Sequence, residues 1–277
     1  MSAKQPDEIA RAAVRTGAQK ARTSWDKTLV ASFLAGAYIA LGGLVAVVVS
    51  SGLDPEVWGT LPTLFTGVAF TLGLVLVLLA GSSLLTGNML LVPLSAMSGR
   101  IGLGDVARNL GLVLLGNVAG ALLVAFFLAT ETGVIGGPGS ADGTSAAMTY
   151  ERLAGIAETK ALDETAYQVF LRAVGANWLV CLAVWVALGA ESVGSKVIGL
   201  FLPVMAFVAM GFDHVVANMF FLPAAVWAGV PDLGWGDVLR NWGLAGIGNL
   251  VGAVVFVATT YWYLYLKDQP EDATEAG

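Results

Sequence analysis

Charge is what this chain has least of. Of its 277 residues only 12% are Asp, Glu, Lys or Arg, against about a quarter in an ordinary soluble domain. Hydrophobic residues make up 57%, and mean hydropathy is +0.77. That balance excludes a water-soluble globule and points to a polytopic membrane protein. The net charge is −6, so a basic face for nucleic acid is missing. There is one cysteine, Cys181, which excludes an intramolecular disulfide and says nothing about redox compartment. There is also one histidine. One His and one Cys on different apolar stretches cannot supply a dense metal-ligand set, and no HExxH pattern is present. The expectation is no enzyme, no metal and no cofactor. The first 27 residues are polar and mixed in charge, without the apolar core or cleavage site of a signal peptide, and none is expected.

What is present is a set of six apolar stretches, at about 29–51, 61–98, 106–129, 168–190, 197–230 and 239–266. A crossing needs about 20 apolar residues. The second and fifth stretches are far longer, so each is expected to contain a break. Two matching words mark them: TGNMLLVP, Thr86 to Pro93, and VANMFFLP, Val216 to Pro223. The breaks are expected from Gly81-Ser82-Ser83 through Thr86-Gly87-Asn88, and at Gly211-Phe212-Asp213-His214. Irregular backbone at membrane depth is tolerated only where it is buried in protein or lines a cavity, and two matched breaks are the mark of a transport site near the midplane.

The repeat extends further. DVARNLG and GNVAG (Asp105 to Gly120) return as DVLRNWG and GNLVG (Asp237 to Gly252). Each half then supplies three spans, and an odd number turns the second half upside down. The predicted fold is all-α, with six transmembrane helices in an inverted 3+3 repeat whose second and fifth helices are broken. The Gly-xxx-Gly spacings allow close backbone approach, either within the bundle or between subunits. Lys and Arg crowd residues 4–27 and the loops on that side, which places both termini in the cytoplasm and makes the 130–167 loop external. The expected organisation is a cytoplasmic segment at 1–27 with a surface helix, a channel domain at 28–267, and an acidic cytoplasmic tail at 268–277. Trp25, Trp58, Trp235 and Trp262 read as interfacial anchors.

His214 sits at the fifth-stretch break. An ionisable group at that depth is costly and usually functional, and imidazole is the side chain that titrates most easily near neutral pH. Thr86, in the other break, offers a hydroxyl that donates or accepts. Asn88 and Asn218 are repeat-equivalent amides, expected to bond backbone freed by the breaks. Asp213 is expected to cap the following half-helix or to face the external side. By spacing alone Phe70, Leu74 and Phe207 are ordinary apolar positions, Asn177 suggests an inward face, and Lys160 is a solvated loop charge.

Together GFDHVVANMFFLP, SLLTGNMLLVP and ANWLVCLAVWVA resemble the formate/nitrite transporter family over about residues 25–265. The resemblance implies an aquaporin-like fold with one pore per subunit and a homopentameric assembly in the cell membrane. It implies that His214 is the central histidine and Thr86 the threonine of the broken second helix. Phe70, Leu74 and Phe207 become apolar constrictions either side of the histidine, and Asn177 and Lys160 become polar residues of the substrate path. Two positions depart from the pattern: Ser83 stands where an acidic residue is frequent, and Leu85 where Phe is. Paired Asn-Pro-Ala boxes of aquaporins are absent. The implied partners are the lipid bilayer, a small anion and protons. Formate is the first expectation, carried in proton-coupled fashion through His214. Nitrite, hydrosulfide, acetate or lactate are the alternatives within the family, and a non-transporting scaffold or sensor is the alternative outside it.

Overall fold

A computed structural model describes residues 4–268, and among the described residues every regular element is a helix. Glu271, Asp272 and Glu275 of the predicted acidic tail lie outside the described residues. The helices are α1 (Pro6–Arg22), α2 (Trp25–Ser50), α3 (Pro55–Trp58), α4 (Leu61–Leu79), α5 (Leu85–Met97), α6 (Leu103–Leu123), α7 (Ser145–Glu158), α8 (Ala166–Gly189), α9 (Val193–Ala209), α10 (Val215–Trp227), α11 (Trp235–Ala253) and α12 (Thr260–Tyr265). Wider π turns extend α6 through Thr130, α7 through Asp163, and join α11 to α12. Among the described residues five continuous helices are long and apolar enough to cross a membrane; α5, α9 and α10 are apolar but shorter.

Both long stretches are interrupted. α4 stops at Leu79 and α5 starts at Leu85; α9 stops at Ala209 and α10 starts at Val215. Each first half ends the same way. Gly81 and Gly211 take φ of 75° and 71°, a left-handed conformation that glycine enters without a Cβ penalty. The next amide then reaches back five residues, Ser82 N–H to Val77 O and Phe212 N–H to Phe207 O, each at 3.0 Å. This is a Schellman closure. The first break is shorter than the sequence implied: Thr86, Gly87 and Asn88 already belong to the first turn of α5. A break needs only the residues whose backbone escapes the helical ladder, and these end at Leu84.

The glycine pairs pack helices within the chain. A Cβ added at Gly116 or Gly120 would run into α2 backbone or side chain at Leu29, Ser32 and Phe33, and one added at Gly248 or Gly252 into α8 at Phe170, Ala173 and Val174. These contacts bind α2 to α6 and α8 to α11. We expect Gly120→Leu to break the α2–α6 contact, because its Cβ would overlap the Phe33 carbonyl. Overpacking of this kind costs about 1–3 kcal/mol, and more where backbone must move. The check is the melting temperature in detergent, with Gly111→Leu as control, since nothing lies within 4 Å of that Cβ position.

α1 is not a free surface segment. Its small-residue face, with Ala10, Ala13, Val14 and Ala21, is buried, chiefly against α5. Ser95 Oγ on α5 donates to Val14 O at 2.7 Å. Trp25, Trp58 and Trp235 stand partly or largely exposed at helix starts and ends, while α7 covers one end of the bundle against α10 and α2.

Candidate functional site

The two breaks meet. Thr86, in the first turn of α5, and His214, the residue before α10, are 0% and 1% exposed, and Thr86 Oγ1 lies 2.7 Å from His214 Nε2. The other ring nitrogen is committed. His214 is the N-cap of α10, and its Nδ1 accepts the Ala217 N–H at 3.1 Å. A backbone N–H only donates, so Nδ1 carries no proton in this arrangement. The proton of the neutral ring is then on Nε2, donated to Thr86 Oγ1, and the threonine hydroxyl keeps its own hydrogen to offer elsewhere. Capping by the histidine corrects the expectation for Asp213, whose carboxylate does something else.

Backbone freed by the breaks is bonded by two asparagines from the GNVAG and GNLVG words. Asn117 Oδ1 accepts Leu85 N–H at 2.9 Å while its Nδ2 donates to Ser83 O and Ser32 O. Asn249 Oδ1 accepts Val215 N–H at 2.8 Å while its Nδ2 donates to Asp213 O and Ala173 O. That work was expected of Asn88 and Asn218. Those two reach side chains instead: Asn88 Nδ2 donates to Asn109 Oδ1 at 2.9 Å, and Asn218 Nδ2 to Asn241 Oδ1 and Asp213 Oδ1, each at 2.8 Å. The repeated words contained all four missed amides; reading only their glycine spacing hid them.

Asn109 and Asn241 lead to a second matched pair. Asn109 Nδ2 donates to Lys20 O at 3.0 Å, and Asn241 Nδ2 to Lys160 O at 2.9 Å. The Lys20 ammonium donates to Ser82 O and Ser83 Oγ in the first break. The Lys160 ammonium donates to Gly211 O, Phe212 O and Asp213 Oδ1 in the second. Lys160 is therefore no solvated loop charge. It is 8% exposed, with its stem packed and its ammonium hydrogen-bonded to the break at the edge of a cavity. Lys20 is its counterpart, and burial pulls that ammonium down to about 8. The only sequence signal joining them is a shared Lys-Ala pair, too short to notice.

A cavity of about 250 Å³ opens at the Lys160 end, lined by Thr66, Phe70, Arg152, Arg172, Phe207 and Asn218 among others. Another of about 430 Å³ opens at the Lys20 end, with Lys27, Lys196, Ser83 and Leu91 on its walls. Neither lining includes Thr86, His214 or Leu74. Between the Lys160 cavity and the histidine stand aromatic rings. Phe70 meets Phe207 edge-on at 6.0 Å and Phe221 at 6.3 Å, and Phe207 lies 5.7 Å from the His214 ring. Phe70 and Phe207 thus stand together, in contact with each other, on the Lys160 side of the histidine. Phe221 is a third ring the sequence did not mark out. Leu74 is buried one turn further along α4. Asn177 spends its Nδ2 on the carbonyls of Thr86, at 3.3 Å, and Asn249, at 2.8 Å; it ties α8 to the site through backbone.

Two cavities with basic side chains on their walls, inside a bundle of membrane-length helices and with aromatic rings between one of them and the histidine, define a multi-pass membrane protein of the channel or transporter class. The chain belongs to the formate/nitrite transporter family, whose model matches residues 7–263. It is 42% identical to the uncharacterized transporter YrhG of Bacillus subtilis, over 96% of each chain. It is 38% identical to the formate channel BtFdhC of Bacillus thuringiensis, over 96% of this chain and 98% of that one. A solved pentameric formate channel with formate bound superposes with a TM-score of 0.74 at 29% identity, covering 87% of this chain and 98% of that one.

Proposed function

We propose that this protein is a proton-coupled channel for small monovalent anions of weak acids, formate first. It works as a homopentamer with one pore in each subunit. The pore runs through six crossings arranged as an inverted 3+3 repeat: α2, α4–α5, α6, α8, α9–α10 and α11–α12. Both termini, including residues 1–27 and the 268–277 tail, are cytoplasmic, the Lys160 cavity faces outward, and the membrane is the cell membrane. The observation that carries the reading is the hydrogen-bonded Thr86–His214 pair at the meeting point of two half-helices, behind a wall of phenylalanine rings.

A bare anion pays a heavy desolvation cost in such a wall, whereas a neutral acid does not. Lys160 and the neighbouring guanidinium groups draw the anion into the outer cavity. As water is stripped away the charged form is disfavoured, and the solute's own pKa rises. Protonated, it passes the Phe70–Phe207–Phe221 layer and reaches the Thr86 hydroxyl and the imidazole. The starts of α5 and α10 add the positive ends of their helix dipoles there. Beyond Leu74 the acid gives its proton back to water in the Lys20 cavity, where that ammonium receives the anion. Relatives described as formate channels support formate as the solute.

The test is uptake by purified protein in liposomes, with formate, nitrite, hydrosulfide, acetate and lactate compared between pH 5.5 and 8. Formate is expected to be fastest and to carry one proton inward per anion, so external medium alkalinises with uptake. Flux that ignores a pH gradient sinks proton coupling, a different fastest solute sinks formate, and no flux for any solute leaves the scaffold or sensor reading.

A further inference from the structure

The Lys160 mouth contains a carboxyl pair that, among the described residues, has no counterpart at the Lys20 mouth. Asp213 is fully buried and Glu164 is 5% exposed. Asp213 Oδ1 accepts from Lys160 Nζ at 3.1 Å and Asn218 Nδ2 at 2.8 Å. Glu164 Oε1 accepts from Arg172 Nη1. The remaining oxygen of each, Asp213 Oδ2 and Glu164 Oε2, is buried without a partner, and the two carboxyl groups are within hydrogen-bonding reach of each other. Two ionised carboxylates so placed repel, and each leaves an acceptor unsatisfied; a single proton between them removes both costs.

Chain geometry sets this residue apart. Three residues lie between Lys20 and Ser24, the N-cap of α2, but four lie between Lys160 and Thr165, the N-cap of α8. The π turn over Thr159–Asp163 accommodates the additional residue, and Glu164 follows it directly as its C-cap. Where Asp213 meets Lys160, the other mouth has Ser83 meeting Lys20.

We propose that Glu164 carries a proton which its Oε2 donates to Asp213 Oδ2, and that this proton sets the charge the outer cavity shows to an entering anion. The inference rests on the anion-channel reading for its consequence, not for the proton itself. The charged groups facing the pair are Lys160 from the π turn, Arg172 from α8 and, across the cavity, Arg152 from α7. α4 contributes Thr63 and Thr66, α10 Asn218 and α11 Asn241, all uncharged; His214 lies behind Phe207. Burial first, then Asp213, push the Glu164 carboxyl up from 4.5 to about 7, against the pull of Lys160 and Arg172. The sign follows. With the proton on, three cations face one carboxylate, a net of +2. As pH rises through about 7 the proton leaves and the net falls to +1. Anion recruitment therefore weakens on the alkaline side, by about three- to tenfold at low ionic strength and less in salt.

Glu164→Gln fixes the protonated form, since a glutamine N–H takes the place of the carboxyl O–H toward Asp213. Formate uptake into liposomes is measured from pH 6 to 8 for both proteins at low salt. E164Q is expected to match the wild type at pH 6 and to exceed it about three- to tenfold at pH 8; parallel profiles overturn the functional half. Infrared spectra of the wild-type protein, which need no variant to fold, are expected to show a protonated-carboxyl band that disappears between pH 6 and 8, where exposed carboxyls have long been ionised. E164Q should lack that band, and its absence from the wild type overturns the shared proton. If the vesicles move no formate at any pH, the channel reading falls while the infrared band still judges the proton.

Discussion

His214→Asn is expected to end proton-coupled formate uptake, lowering it by about two orders of magnitude or more. The substitution is chosen for what it keeps. Asparagine is among the best N-cap residues, so its side-chain oxygen can accept the Ala217 N–H that Nδ1 accepts at 3.1 Å, and α10 keeps its start. What it loses is the reach of Nε2 to Thr86 Oγ1, 2.7 Å away. The two half-helices then no longer communicate through a polar group that can pass a proton. The measurement is formate uptake with simultaneous pH recording in proteoliposomes, after the variant elutes and melts like the wild type. Undiminished uptake with undiminished proton movement would falsify the role given to the imidazole. Because Nδ1 is held by a backbone donor, a second proton on the ring would have to unseat the first turn of α10. The ring suits relay better than storage, and Thr86→Val, which removes only the hydroxyl, is expected to impair flux without damaging the cap.

Asn249→Ala is expected to be the most destabilising alanine substitution near the site. It removes an acceptor for Val215 N–H at 2.8 Å and donors to Ala173 O at 2.7 Å and Asp213 O at 2.8 Å. All three backbone groups are buried among apolar helices. An orphaned buried group costs about 1–3 kcal/mol, but interhelical hydrogen bonds in membranes average only about 0.6 kcal/mol. The break cannot refill its own ladder, so a total of about 3 kcal/mol is expected. That corresponds to a fall in melting temperature on the order of 10 °C. Asn249→Asp keeps the acceptor but turns a carboxyl oxygen toward the two carbonyls that Nδ2 now bonds, and it should destabilise at least as much. A melting curve for N249A within a degree of wild type would remove Asn249 as the brace of the second break.

The long apolar runs and the doubled Asn-Met words made the breaks legible, because a membrane helix has a fixed length and any excess must bend or stop. His214 was legible for a similar reason: a lone ionisable group in a greasy run has few bland explanations. Lys160 and Asp213 were harder to place. Their roles depend on a π turn and a helix end that bring residues 53 apart into contact, and no local periodicity encodes such a meeting. Asn117 and Asn249 were in view within the repeated words, but a side-chain amide in a helix does not announce which distant backbone it will bond. Lys20 was hidden most completely. Its segment reads as polar surface, and its equivalence to Lys160 rests on hydrogen bonds rather than on shared letters.

That equivalence has a practical consequence for anyone shortening or tagging the protein. α1 does not merely precede the first crossing; through Lys20, Asn109 and Asn88 it is stitched to the start of α5. A deletion made at residue 24 to tidy the amino end would tear out one wall of the Lys20 cavity together with its charge, and a fault in transport seen in such a fragment would reflect a missing wall rather than a missing regulator.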